Sequence, residues 1–304
     1  MRVHVILNRH GGTLRTTNLD WLSDLIVGEF AVHGHQCVVE ALAGKGVVAA
    51  IEAAAKRNDI DVLIVGGGDG TVSAAVTALT KGTIALGILP VGTMNLFART
   101  LQIPLDLQGA VAALATGQIT EVDVASVNGE PFAHQFALGL HARMVRMRGR
   151  FKYGSRIGKI AATLRSIMIA LRRLPAIELE LELDGETRRV RTPALAVSNN
   201  MYGEGHIPYA DDPRGGILGV YICETRDVRA IARLTFDIMI GNWRRNRSLG
   251  VYQASKVTIR YFGKSHDNRA VMDGELVRLE PVSEIELHPK ALKVLVPAEA
   301  TYLD

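Results

Sequence analysis

The chain has 304 residues, 48% of them hydrophobic and 22% charged, which excludes a disordered polypeptide and gives room for about two domains. Thirty glycines follow no G-X-Y period, so a collagen-like chain is excluded. The net charge of +4 is uneven: between Glu130 and Glu178 there are ten Lys and Arg and no acidic residue, so the rest of the chain carries −6.

Val3–Leu7 reads as a short apolar strand and lacks the long apolar run of a signal peptide. No stretch of about 18 uncharged apolar residues is present, so no segment is expected to span a membrane. Two cysteines, Cys37 and Cys223, do not make a disulfide scaffold and suit a reducing, cytoplasmic setting. After the loop Asn8-Arg9-His10-Gly11-Gly12, helical pattern over Leu22–Phe30 leads to a strand over Gln36–Leu42. A helix over Val47–Arg57, a buried strand over Asp61–Val65, a helix over Val72–Thr80 and a strand over Thr83–Leu89 follow. This β-α-β rhythm predicts a parallel sheet with helices on both faces. Ligands bind such sheets beyond the carboxyl ends of the strands, where three glycine-bearing loops, 8–12, 66–71 and 90–95, fall.

The second half changes character near residues 120–130. Ile177–Leu183 alternates apolar and acidic residues, and Asp184-Gly185 makes a hairpin turn. Strand-like runs recur at Ala194–Ser198, Leu218–Cys223, Lys256–Phe262, Arg269–Met272, Leu276–Leu279, Glu284–His288 and Leu292–Val296. The prediction is a mainly antiparallel sandwich or barrel. In the acid-free segment, apolar residues from Ile157 to Leu171 recur every three or four positions among the basic ones, the pattern of a helix with one apolar and one basic face. A solvated outer face and an anionic membrane surface both fit it, and Trp243-Arg244-Arg245-Asn246-Arg247 adds a second basic cluster. His33-Gly34-His35 has no third ligand nearby and reads as a loop. Cys37 reads as core and Trp21 as packing.

The run Val65-Gly66-Gly67-Gly68-Asp69-Gly70-Thr71 joins a strand to a helix. Glycines admit a polyphosphate close to the backbone, and the first amides of a helix favour anions. It lacks the Gly-Lys-Ser/Thr of a Walker loop and the spacing of a dinucleotide fingerprint. Asp69 beside phosphates fits a magnesium ligand or a proton-transfer group, and also a helix cap. In the second loop, Leu89 to Arg99, Thr93 and Asn95 offer neutral hydrogen bonds and suit a helix start, while Arg99 offers positive charge.

G-G-D-G-T followed about twenty residues later by L-P-x-G-T-x-N-x-x-A-R resembles the catalytic-domain family of diacylglycerol kinases, sphingosine kinases and related soluble lipid kinases. NAD kinases and phosphofructokinases share only G-G-D-G. Residues 8–12 stand where the family has N-P-x-S-G, and Asp273-Gly274-Glu275 resembles its D-G-E motif, although Asp184-Gly185-Glu186 repeats the same tripeptide. The resemblance implies a fold of class α/β: an N-terminal three-layer α/β nucleotide-binding domain, residues 1–125, plus a C-terminal β-rich sandwich-like domain, residues 126–289. The segment from about 290 to 304 would return to the first. It implies ATP and Mg²⁺ as cofactors, Glu275 as general base, and Asp69 and Asp273 in the catalytic set, with Asp69 as a metal ligand. Asn8, Gly11, Gly12, Gly66, Gly67, Gly68, Gly70, Thr71, Gly92, Thr93 and Asn95 would hold the nucleotide.

A structural Mg²⁺ would use Asp212 and the backbone of Leu218, but Gly215 stands where the family has an aspartate. Gly203-Glu204-Gly205 replaces a run of three glycines, and His134 and His141 replace residues that are often Asn and Asp. The function so implied is an ATP-dependent lipid kinase acting on a hydroxyl of diacylglycerol or a related lipid. The alternatives are a kinase of a soluble substrate and a non-catalytic lipid- or nucleotide-binding protein. The partners implied are a lipid substrate and an anionic membrane surface met through 143–173 and 243–247, with a homodimer open and no nucleic acid. The location would be cytoplasmic, peripheral at the membrane.

Overall fold

The structure, a computed structural model, describes residues 1–148, 174, 176–206, 208–263 and 269–303. Four parallel strands begin it: β1 (Arg2–Asn8), β2 (Gln36–Leu42), β3 (Val62–Gly67) and β4 (Ala85–Pro90), in the order β2-β1-β3-β4. Helices α1 (Leu19–Val32), α2 (Lys45–Ala54), α3 (Asp69–Leu79), α4 (Leu96–Thr100) and α5 (Leu107–Ala115) accompany them. The helices dock by apolar residues at helical spacing, as Leu22, Ile26 and Phe30 do on α1. Asn18 caps α1 by accepting the Asp20 and Trp21 amides. Trp21 itself is 44% exposed on the outer face, contrary to the packing role read from sequence. Cys37, on edge strand β2, is half-buried against the core.

Beyond β4 the same sheet continues with strands of the second half. β16 (Val282–Val296) pairs parallel with β4 at its C-terminal end and antiparallel with β13 (Lys256–Tyr261) at its start. On its length it also pairs with β5 (Gln118–Val127), which continues to β6 (Glu130–Phe132). The hairpin of β8 (Ile177–Leu183) and β9 (Glu186–Thr192) closes the ten-stranded sheet. Two expected strands, Glu284–His288 and Leu292–Val296, are thus one, carried through Pro289 and Lys290 by a register shift between His288 and Leu292.

A second sheet of six antiparallel strands has the order β12 (Leu249–Ala254), β11 (Leu218–Cys223), β10 (Ala194–Ser198), β7 (Gln135–Gly139), β14 (Arg269–Met272), β15 (Glu275–Arg278). It faces the far half of the large sheet across a shared apolar core that includes Phe132, Phe136, Leu181, Val197, Val220 and Ile259. This is a sandwich. A separate core gathers β1, β3 and β4 with the first five helices and the last residues of β16. Helices α6 (Leu140–Arg148) and α7 (Val228–Met239) lie against the six-stranded sheet in one apolar cluster that includes Leu140, Met144, Ile231, Leu234 and Cys223 of β11. The C-terminal residues rest on the first core, where Tyr302 Oη donates to the Leu101 carbonyl at 3.3 Å.

The basic, apolar-striped segment from Arg150 to Arg173 lies outside the described residues. Among the described residues no helix is long and apolar enough to cross a membrane. The structure divides the second basic cluster into a buried and an exposed part. Trp243 is 1% exposed, packed edge-on against Tyr202 and Tyr221, and Arg244 pairs with Glu204 at 2.6 Å while donating to the Tyr202 carbonyl. An indole enclosed by two tyrosines is core, which leaves Arg245 and Arg247 of this cluster as exposed cations outside that packing. Trp243→Ala is therefore expected to lower stability by about 3–5 kcal/mol, read as the urea midpoint, where a surface-anchoring indole would leave it unchanged.

Candidate functional site

Three loops converge at the carboxyl ends of β1, β3 and β4. At the end of β1, the Asn8 amide donates to Thr71 Oγ1 at 3.2 Å, and its own Oδ1 accepts the His10 amide. Thr71 is buried by this contact. Gly11 backs onto Gly67 so closely that a Cβ there would stand 3.1 Å from the Gly67 Cα. Gly12 has φ +31°, and a Cβ on it would overlap the Val91 carbonyl oxygen. The Thr13 amide donates to that same carbonyl at 2.9 Å, tying the first loop to the third.

Gly66 and Gly67 end β3, and Gly68 precedes α3. No side chain caps this helix: Asp69 is its first residue, half-buried, and does not serve as the N-cap. A Cβ on Gly68 would meet nothing within 4 Å, so the backbone lies open to the space in front of the helix. The third loop closes against the second, since a Cβ on Gly92 would stand 3.3 Å from the Gly68 Cα. Thr93 is exposed in this loop. Asn95 takes a left-handed conformation at the start of α4 and donates to the Pro90 carbonyl at 3.1 Å instead of capping the helix. Arg99 Nε donates to the Met94 carbonyl.

The D-G-E turn arrives from the other sheet. Asp273 (φ +48°) and Gly274 (φ +86°) form the two-residue turn between β14 and β15. The Asp273 carboxylate is buried and accepts the backbone amides of Ala133 at 2.7 Å, His134 at 2.8 Å and Gln135 at 3.1 Å. Burial raises its pKa, opposed by these three amides and by the nearby Ser73 side chain of α3. Asp273 is thus held on all sides by protein groups. Two residues on, Glu275 is exposed, and its Oε1 lies 3.6 Å from where a Gly70 Cβ would be. The carboxylate of one sheet stands over the first turn of α3, whose amides carry partial positive charge.

The other D-G-E copy has the same backbone, with Asp184 at φ +47° and Gly185 at φ +93°. There the carboxylate is exposed and accepts Ser255 and Lys256, which lowers its pKa. It joins β8 to β9 at the edge of the large sheet.

Around Gly215 the carboxylate that the resemblance calls for is missing. Asp212 is exposed and its Oδ1 accepts the Arg214 amide at 2.7 Å. Gly215 offers no carboxylate, and Leu218 begins β11 opposite Ala254. Among the described residues no three His, Cys, Asp or Glu gather as a ligand set. The loop is organised instead by Asp123, unmarked by any sequence motif. Buried at the middle of β5, it accepts the amides of Gly216 at 2.9 Å and Lys290 at 3.0 Å. The Asn199 amide donates to the Asp123 and Ala133 carbonyls. A magnesium ion shared with nucleotide phosphates needs only one or two protein carboxylates, and Asp69 beside the open Gly68 backbone fits that demand.

Behind the Asp273 turn, His134 stacks on Tyr202 with ring centroids 5.3 Å apart, and Tyr202 Oη donates to Gln135 Oε1. Burial pushes the His134 imidazole down to about 3, with repulsion from His141 adding to it, although part of its surface meets solvent. Burial also lowers His141.

Asp273→Ala strands three backbone amides that the carboxylate now satisfies. Stability is expected to fall by about 2–5 kcal/mol in urea unfolding, whereas Asp184→Ala on the exposed copy costs about 1 kcal/mol or less. His134 stays neutral when folded but takes a proton when unfolded. Its contribution is present above pH 6.5 and is lost as pH falls toward about 3. Urea midpoints measured across that window are expected to decline, and less steeply in His134→Phe, which keeps a ring against Tyr202.

Residues 2–127 match the family model described as diacylglycerol kinase catalytic domain, and residues 137–296 match the YegS C-terminal NAD kinase beta sandwich-like domain. An uncharacterized protein of Synechocystis is 29% identical over 271 residues, covering 84% of this chain and 60% of its own length. A protein of Staphylococcus aureus named diacylglycerol kinase is 34% identical over 153 residues, covering 49% of this chain and 48% of its own. The chain therefore spans about three fifths and one half of these relatives. The crystal structure of a diacylglycerol kinase from Bacillus anthracis shares the fold, with a TM-score of 0.73 at 21% identity over 97% of this chain and 96% of that one. With both halves matched by the two domain models in sequence order, the chain belongs to the diacylglycerol kinase catalytic-domain family.

Proposed function

We propose that the protein is an ATP-dependent lipid kinase that phosphorylates a hydroxyl of diacylglycerol or a related lipid. The observation that carries this reading is Glu275 Oε1 beside Gly70, an acceptor for a proton set against an uncapped, glycine-lined helix start. Residues 1–125, with the segment from about 290, are taken as the nucleotide-binding lobe. Residues 126–289 are taken as the lipid-substrate lobe.

In this mechanism the amides around Gly67, Gly68 and Gly70 and the loop of Gly92, Thr93 and Asn95 receive the triphosphate. Asn8 fixes Thr71 beneath it. Gly11 and Gly12 let the first loop lie flat against the other two. Asp69 would hold the magnesium ion, which when bound supplies charge neutralisation at the phosphates. Glu275 takes the proton from the lipid hydroxyl as it attacks in line, and Asp273 positions the turn that carries Glu275. The rate enhancement comes from positioning and electrostatics more than from covalent chemistry.

The test is transfer of labelled phosphate from ATP to mixed lipid vesicles containing diacylglycerol, with the product identified by mass. Glu275→Gln is expected to lower kcat at least about a hundredfold with nucleotide affinity and urea midpoint retained. Full turnover in that variant removes Glu275 as the base. Transfer only to a soluble acceptor, with none to any lipid, overturns the substrate class.

A further inference from the structure

The exposed side of α7 is a surface that neither the catalytic proposal nor the sequence motifs use. Val228, Arg229, Ala232, Arg233, Phe236, Met239 and Ile240 are all exposed. At 3.6 residues per turn they fall within about 140° of the helix circumference. Ile231, Leu234 and Ile238 occupy the opposite side and pack on the neighbours of α6. The apolar members of the outer stripe are large and open: Phe236 is 59% exposed, Met239 63% and Ile240 55%. A soluble surface does not ordinarily gather three such residues on one turn of helix.

The exposed cations around them are arginines. Arg229 and Arg233 lie on the stripe, Arg226 just precedes the helix, and Arg245 and Arg247 sit on the turn that follows it, all exposed. That turn is held to the helix end by the Asn246 amide donating to Asp237 Oδ2 at 2.6 Å and the Asn242 amide donating to the Asp237 carbonyl. Asp237 is thereby turned to the inner edge, and Asp227 is spent capping the helix by accepting the Arg229 and Ala230 amides. Of the nearby acids, Asp227 and Asp237 are engaged at the borders of the helix, Glu204 pairs with Arg244 and Glu224 accepts the Tyr252 hydroxyl, while the arginines rim the apolar residues.

We propose that this face of α7 docks the protein on an anionic lipid bilayer. Phe236, Met239 and Ile240 enter the acyl boundary, and Arg229, Arg233 and Arg245 lie among the phosphate headgroups. A convex helix face offers no cleft for a peptide. A second copy, packed about a two-fold axis, would set the same arginines against each other. A negatively charged, deformable apolar surface meets both requirements. Through α6, the docked helix is one layer removed from the β14–β15 hairpin that bears Glu275.

The proposal is independent of phosphate transfer, because binding is measured without nucleotide. Full-length protein is sedimented with vesicles of phosphatidylcholine alone and of phosphatidylcholine with an equal part of phosphatidylglycerol. Wild type is expected to bind the mixed vesicles preferentially, and more weakly as salt is raised. The double variant Phe236→Ser, Met239→Ser is expected to lose at least about tenfold in affinity for mixed vesicles. The double variant Arg229→Glu, Arg233→Glu is expected to lose the preference for phosphatidylglycerol by at least about tenfold. Both keep the wild-type urea midpoint, since the changed side chains are exposed. Wild-type affinity in both variants overturns the proposal, as does absence of wild-type binding to mixed vesicles. A lipid-free dimer in sedimentation velocity that Phe236→Ser, Met239→Ser dissolves also overturns it, assigning the face to a second copy.

Discussion

A single buried carboxylate holds the two halves of the candidate site together. Asp273 takes three amides from residues 133–135, which follow the strand β6 that packs on α3, and the Ser73 side chain of α3 lies near enough to favour its charged form. Because α3 begins with the glycine loop, this anchorage sets the β14–β15 turn against that helix. Glu275 inherits its place over Gly70 from this attachment. Burying a charge is costly unless it is bonded, and three backbone donors on one carboxylate offset that cost. The resemblance to lipid kinases placed Asp273 in the catalytic set; in the structure its carboxylate is occupied by backbone amides.

The two Asp-Gly-Glu tripeptides show why sequence alone leaves such a residue undecided. Their backbones are alike, both being two-residue turns with two positive φ values. Their surroundings are opposite. Asp184 is an exposed acceptor whose pKa is lowered by Ser255 and Lys256, and Asp273 is a buried one whose pKa is raised. Local sequence encodes the turn, and distant segments encode the environment. The same holds for Trp243: beside three arginines in sequence it resembles an interfacial anchor, yet Tyr202 and Tyr221 enclose it. Asp123 carries no motif, and its part in the Gly216 loop depends on partners about 90 and 170 residues away.

The parallel half was readable because its central strands β3 and β4 are short, wholly apolar runs ended by glycine or proline. The glycine loops were readable for the same reason, since their close approaches demand the missing side chains. The β-rich half was read less completely. β5 begins exposed and ends buried on both faces, so no single period spans it. β9 is largely charged, as an edge strand of the sheet. Pro289 and Lys290 disguised β16 as two strands, while a register shift keeps it whole.

The central claim is that a triphosphate lies against the start of α3 with Glu275 facing its terminal phosphate. A crystal structure of the protein with magnesium and a non-hydrolysable ATP analogue measures this directly. The account predicts β- and γ-phosphates against the amides of residues 68–71, Asp69 on the metal, and the Glu275 carboxylate on the open side of the γ-phosphate. A nucleotide bound elsewhere, or none bound at saturating concentration, contradicts it.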